Sequence, residues 1–115
     1  MEIRRQNKGP RMSQSVQYGD TIYLAGQVSD KADGDTAVQT RDVLSKIERL
    51  LQEAGSSKSK ILSTTIYLAD IRDFAAMNEV WDAWVDPQNT PARATVEAKL
   101  ARPSLRVEMV VVAAR

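Results

Sequence analysis

Apolar positions recur along this chain with two periods, and each change of period marks an element. Ile22, Leu24 and Gly26 alternate with Thr21, Tyr23 and Ala25, which predicts a strand over Thr21–Val28. Tyr18-Gly19-Asp20 reads as the turn joining it to a strand over Met12–Gln17, and Gly9-Pro10 closes a short opening strand. Asp30–Asp35 is a polar loop. Beyond it Val43, Ile47, Leu50 and Ala54 recur at three- and four-residue steps, joined by Leu44 and Leu51, which predicts a helix. Thr36, with Gln39 three residues on, resembles a capping box at its start, and Gly55 is a natural stop.

Ile61–Ala69 is rich in β-branched residues and reads as a mostly buried strand. Asp73 is placed to cap a second helix carrying Phe74, Met77, Trp81, Trp84 and Val85 on one side, ended by Asp86-Pro87. Trp81 and Trp84, three apart, read as packing residues. Thr95–Leu100 and Leu105–Ala113 are the last strands, joined around Arg102-Pro103-Ser104. Strands interleaved with two helices in 115 residues predict one α+β domain over residues 1–115. The expected form is an α/β sandwich with both helices on one face of a mixed sheet.

The terminal strand is apolar on both sides. Val107, Met109, Val111 and Ala113 form one face; Glu108, Val110, Val112 and Ala114 form the other. Two helices cover only one face, so further copies of the chain are expected to cover the second, giving an obligate oligomer. Glu108 is the odd residue there, because a carboxylate beside Val110 and Val112 is costly unless paired or hydrogen-bonded. It is either half of an ion pair with Lys99 or Arg106, or a functional group.

Asn89–Ala98 carries the clearest candidate chemistry. Pro91 pushes Thr90 into an extended conformation. Ala94, Val96, Ala98 and Leu100 then alternate with Arg93, Thr95, Glu97 and Lys99, a strand pattern with one apolar face. Arg93 is expected at the mouth of that strand, on its polar face. A guanidinium held by a rigid element can grip a carboxylate with two parallel hydrogen bonds. The alternative is a solvated surface arginine.

Composition narrows the chemistry further. Sixteen basic residues against fifteen acidic ones leave a net charge of +1, and no basic run exceeds Arg4-Arg5, so no nucleic-acid footprint is expected. The chain has no cysteine and no histidine, which removes thiolate chemistry, the commonest general base and the commonest metal ligand. Carboxylates, hydroxyls, amines, backbone groups and water remain. The charged N-terminus is followed by no apolar stretch, and no window approaches the roughly 20 apolar residues of a membrane span. A soluble, cytoplasmic protein with no membrane partner is the expectation.

Several short motifs, taken in order, resemble the YjgF/RidA family, the reactive-intermediate deaminases. They are Gly9-Pro10 before Ser13-Gln14-Ser15-Val16, Gly26-Gln27-Val28, Gln39-Thr40 and Glu53-Ala54-Gly55-Ser56-Ser57. Thr64–Asp70, Asp73–Glu79, Pro91–Val96 and Val107-Glu108-Met109 follow. The segment Asn78–Val85 is similar to a short YoaB-like branch. The resemblance implies a chorismate-mutase-like fold and a homotrimer, with sheets packed into a central barrel and clefts between subunits. It implies hydrolysis of 2-imino and enamine acids, such as 2-aminoacrylate, to 2-keto acids and ammonia, with no cofactor and no metal. Arg93 matches the arginine that grips the substrate carboxylate, and Glu108 the acidic residue that positions water. Gly26 matches a pocket-wall residue, backbone groups around Ala94 and Thr95 line the cleft, and Asn78 matches a family asparagine.

Two positions depart from the family pattern. Met12 stands in place of a pocket tyrosine, and Ala25 in place of a pocket serine. Both changes remove hydroxyls from the substrate-binding region, and a site with fewer polar partners discriminates small polar substrates less well. The second expectation is therefore a non-catalytic module that binds a small carboxylate metabolite.

Overall fold

Asp35, rather than Thr36, caps the first helix. In the computed structural model, which describes all residues Met1–Arg115, its carboxylate accepts the Val38 N–H at 2.9 Å, and helix α1 runs Thr36–Glu53. The expected Thr36/Gln39 capping box does not form. Thr36 is already helical, and its hydroxyl donates to the Asp73 carboxylate at 2.9 Å. Gln39 turns inward, where its amide donates to the Gly34 and Ser104 carbonyls at 3.1 and 2.9 Å and accepts the Arg106 N–H at 2.8 Å. A buried amide satisfied in this way ties the helix start to the loop ahead of the last strand.

At the far end of α1 the expected stop is confirmed. Gly55 adopts φ +82°, the Ser56 N–H bonds the Leu51 carbonyl at 2.8 Å, and the Gly55 N–H bonds that of Gln52 at 3.1 Å. This is a Schellman closure, which favours glycine because of the left-handed backbone. Helix α2 runs Phe74–Trp84. Asp73 precedes it but makes no capping bond, since Thr36 engages its carboxylate instead.

Strands β1 (Ile3–Lys8), β2 (Ser13–Tyr18), β3 (Thr21–Leu24), β4 (Gln27–Val28), β5 (Ile61–Leu68), β6 (Ala92–Glu97) and β7 (Val107–Ala114) make one mixed sheet. Its order is β1-β2-β3-β7-β5-β6, with β4 also paired to β7. The β5–β6 pair is parallel and the rest are antiparallel. The predicted Thr21–Val28 strand is broken at Ala25-Gly26, beyond which Gln27 pairs with Met109. Strand β6 ends at Glu97 rather than Leu100, although the Ala98 N–H still reaches the Leu68 carbonyl at 2.9 Å.

Both helices lie on one face, as expected. Ile47 and Leu51 of α1 and Met77 of α2 bury against Ile22, Ile66 and Met109 of the sheet. The other face has no cover within the chain. Ile3, Tyr18, Tyr23 and Val96 lie on it with 44–49% of their surfaces exposed, beside half-buried Val110 and Val112. No helix is long and apolar enough to cross a membrane.

Candidate functional site

Arg93 belongs to the edge strand β6, where parallel register sets it beside Thr64, and sets Thr95 beside Ile66. Thr64 and Ile66 are buried under the helices, so Arg93 and Thr95 face the helical layer. Alternation marks Ala94 and Val96 as the apolar side of the strand and Arg93 and Thr95 as the polar side, yet it is the polar side of β6 that meets the helices. The reason lies on α2, where Phe74 and Trp81 offer Arg93 flat apolar surfaces. The guanidinium carbon stands 5.3 Å from the Trp81 ring centroid and 5.8 Å from that of Phe74. A guanidinium is drawn to such ring faces, and its methylene stem buries along them. Ala94 and Val96 then complete the apolar open face.

Arg93 is half-buried, not freely solvated, and no carboxylate of the chain holds it. The ion pairs present are Glu2–Arg4, Asp30–Lys46 and Asp70–Arg72. Its N–H donors make no hydrogen bond within the chain, and its only close neighbours of note are the two rings. Asn78, one turn from Phe74 and nearly one from Trp81, presents a buried Oδ1 with no partner, as do the hydroxyls of Thr64 and Thr95. Unpaired buried oxygens are rare, and these concentrate polar demand near the wall that carries Arg93.

The tryptophans were expected to serve packing, and they do more. Trp81 and Trp84 meet at 5.6 Å between centroids, tilted by 49°. Lys58 Nζ lies 5.3 Å from the Trp84 centroid, so the indole pair sits between two cations, Lys58 and Arg93. The spacing of Phe74 and Trp81 on one helix was visible in the sequence, but nothing local says which strand they meet.

Glu108 forms a second group, on the open face. It stands across from Val28 on β4 and Tyr67 on β5. Neither Lys99 nor Arg106 pairs with it, so the structural ion pair is not present. Its carboxylate packs against Gly26 instead. A Cβ at position 26 would collide with a Glu108 carboxylate oxygen and lie 3.2 Å from the carboxyl carbon. Glycine lets the carboxylate lie this close; any side chain at position 26 would turn the end of Glu108 aside. Neighbouring Ala25 donates its N–H to the Gln14 carbonyl at 2.9 Å and accepts Gln27 Nε2 at 3.0 Å. Met12 is 54% exposed in the loop that the Gly9 N–H closes onto the Met12 carbonyl at 2.8 Å. Pairing of Ser15 with Leu24 brings that loop to the same end of the sheet as the Ala25-Gly26 bend.

Glu108, Gly26, Ala25 and Met12 thus share one end of the open face, and Ala94 lies on that face too. Arg93 and Thr95 face the opposite way, with β5 between the two groups. One chain does not bring Arg93 and Glu108 together.

These features define a class: a small α+β domain with one helix-covered sheet face that carries Arg93 and one apolar face that carries Glu108. The chain belongs to the YjgF/RutC family, whose model, described as Endoribonuclease L-PSP, matches residues 6–115. It is 45% identical over 114 residues to the RutC family protein YoaB of Escherichia coli K12, covering 99% of each chain. A member of the YjgF protein family from Neisseria meningitidis superposes with a TM-score of 0.95 at 49% identity, over 100% of this chain and 96% of that one. A Rid family protein of unknown function from Yersinia pestis matches with a TM-score of 0.86 at 30% identity, over 94% and 90% of the two chains.

Proposed function

We propose that the protein hydrolyses reactive 2-imino and enamine acids, such as 2-aminoacrylate, to 2-keto acids and ammonia. The observation that carries this reading is Arg93, a cation held over two rings with no carboxylate of its own chain, in a member of this family. Arg93 grips the substrate carboxylate through paired N–H donors. Glu108, backed by Gly26, orients a water. An enamine first becomes the imine by gaining a proton at C3 and losing one from nitrogen. The water oxygen then bonds to the imine carbon as one water proton passes to nitrogen. The carbon–nitrogen bond breaks as the new hydroxyl gives up its proton, releasing the keto acid and ammonia. An iminium carbon is already electrophilic, so orientation does most of what the reaction needs.

The division of Arg93 and Glu108 between opposite faces favours a cleft between copies of the chain, one supplying each residue. The uncovered apolar sheet face supports association of copies, for which we propose a homotrimer, and we place it in the cytoplasm. The deciding assay follows keto acid and ammonia release from an imino acid generated in place, comparing wild type with Arg93→Ala. Equal rates for the two proteins reject the reading.

A non-catalytic module for small carboxylates is favoured by one observation, that Met12 and Ala25 bring no side-chain hydroxyl to the Glu108 group. Arg93-dependent binding of a 2-keto acid by calorimetry, without any imine turnover, supports that alternative. Ribonuclease chemistry, which the family description names, has less support in a chain of net charge +1 with no histidine.

A further inference from the structure

The helical layer carries a second concavity, remote from the apolar sheet face. It is a groove of about 510 Å³ between α1 and α2, within the usual range for small-molecule sites of about 300–1,000 Å³. Leu44 and Val80 form its floor. Three alanines, Ala37, Ala76 and Ala83, keep it open where larger side chains would close the helix seam. Trp84 lines it as well, anchored by its Nε1–H on Glu48 at 3.0 Å.

The mouth is charged. Lys58 Nζ is pinned there by the Trp84 carbonyl at 2.7 Å, which uses one of its three donors. Arg41 also lines the mouth, exposed and in no ion pair, as does Glu79. Glu48 is engaged by the Trp84 Nε1–H, which leaves Arg41 and Lys58 as the cations and Glu79 as the one charged acceptor among the lining side chains. Two cationic donors beside an apolar trough, with two carboxylates close by, fit a monoanion with an apolar body better than a dianion. Copies covering the open sheet face would leave this groove free, because it lies on the outer side of the helices.

We infer that the α1–α2 groove binds a small amphipathic monocarboxylate, its carboxylate held by Arg41 and Lys58 and its apolar body against Leu44, Val80 and Trp84. The site is separate from the Arg93 reading and stands without it.

The test uses the full chain carrying Arg93→Ala, so that the proposed substrate anchor contributes nothing. Phenylbutyrate is titrated while NMR follows the indole N–H signals. Saturable binding that shifts the Trp84 signal is expected. An Arg41→Gln, Lys58→Gln double variant should bind about tenfold more weakly, the equivalent of one charge-assisted hydrogen bond. The neutral phenylbutyramide should be weaker by a similar factor. Ala83→Leu, which fills the trough without lowering helix propensity much, should abolish binding, and Ala76→Leu serves if that variant does not fold. Absence of saturation at millimolar concentrations overturns the inference, as does undiminished binding in folded Ala83→Leu or Ala76→Leu. Equal affinity for acid and amide also overturns it.

Discussion

The guanidinium of Arg93 lies 5.3 Å from the Trp81 ring, so a residue of the edge strand is positioned by the helix that covers it. Trp81→Phe keeps an aromatic face but shortens it, and Trp81→Ala removes it. Both should weaken 2-keto acid binding by loosening Arg93, the alanine variant more. Trp81→Ala should also cost about 3–5 kcal/mol of stability, because Trp81 is buried in the core. Urea denaturation alongside calorimetry separates the effects. If folded Trp81→Ala binds and turns over like wild type, the ring does not position Arg93.

Gly26 and Glu108 form a steric pair, and their coupling is measurable. Gly26→Ala should destabilise by no more than about 1 kcal/mol, since the new methyl group meets the movable end of the Glu108 side chain, which can turn aside. Shortening the partner in the Gly26→Ala, Glu108→Ala double variant should restore most of that loss. A double-mutant cycle in denaturant reads the coupling, and strictly additive costs would contradict the close approach. Gly26→Ala alone should also lower imine hydrolysis by displacing the carboxylate.

The open sheet face makes a prediction about mass. Light scattering should give three times the 12.8 kDa of one chain. Tyr23→Glu and Val112→Asp place charges on that face, and each should yield a single-chain particle with imine hydrolysis lost. A wild-type particle near 12.8 kDa would remove the cleft between copies and the division of labour proposed for Arg93 and Glu108.

Acid stability should depend on Asp42. Burial pushes its pKa up, but the Ser29 hydroxyl, the Asp30 N–H and the Lys46 and Lys31 charges together outweigh this and hold it below the ordinary 3.8. The Ser29 and Asp30 bonds measure 2.8 and 2.9 Å. A carboxyl depressed in the folded state stabilises fully above its unfolded pKa, and that contribution is lost as pH falls through the folded value. Asp42→Asn should therefore flatten part of the fall in stability below pH 3.8, leaving contributions from Asp70 and Asp86. The Arg72 side chain holds Asp70 down to about 2, and the Ser59 hydroxyl leads the depression of Asp86. Thermal melts of both proteins across this acid range provide the check; identical slopes would count against the Asp42 contribution.

Local chemistry in the sequence was enough to place both helices, the Gly55 stop, the strand order along the chain and the apolar second face of β7. Periodicity and turn residues act over a few neighbours, and those signals survive in a linear reading. Element ends were less legible where side chains had competing partners. Thr36 and Asp73 bond one another across the fold, so neither makes the cap its position suggested. The same residues and motifs named Arg93 and Glu108 as the candidate pair. Which way each points was a different matter. Alternation assigns residues to two sides of a strand but cannot say which side the helices take. For β6 the decision belonged to the register with β5 and to the rings of Phe74 and Trp81, contributed by distant segments. Tertiary structure therefore turned Arg93 under the helices and left Glu108 on the open face, because side-chain direction is fixed by packing between segments that the sequence presents far apart.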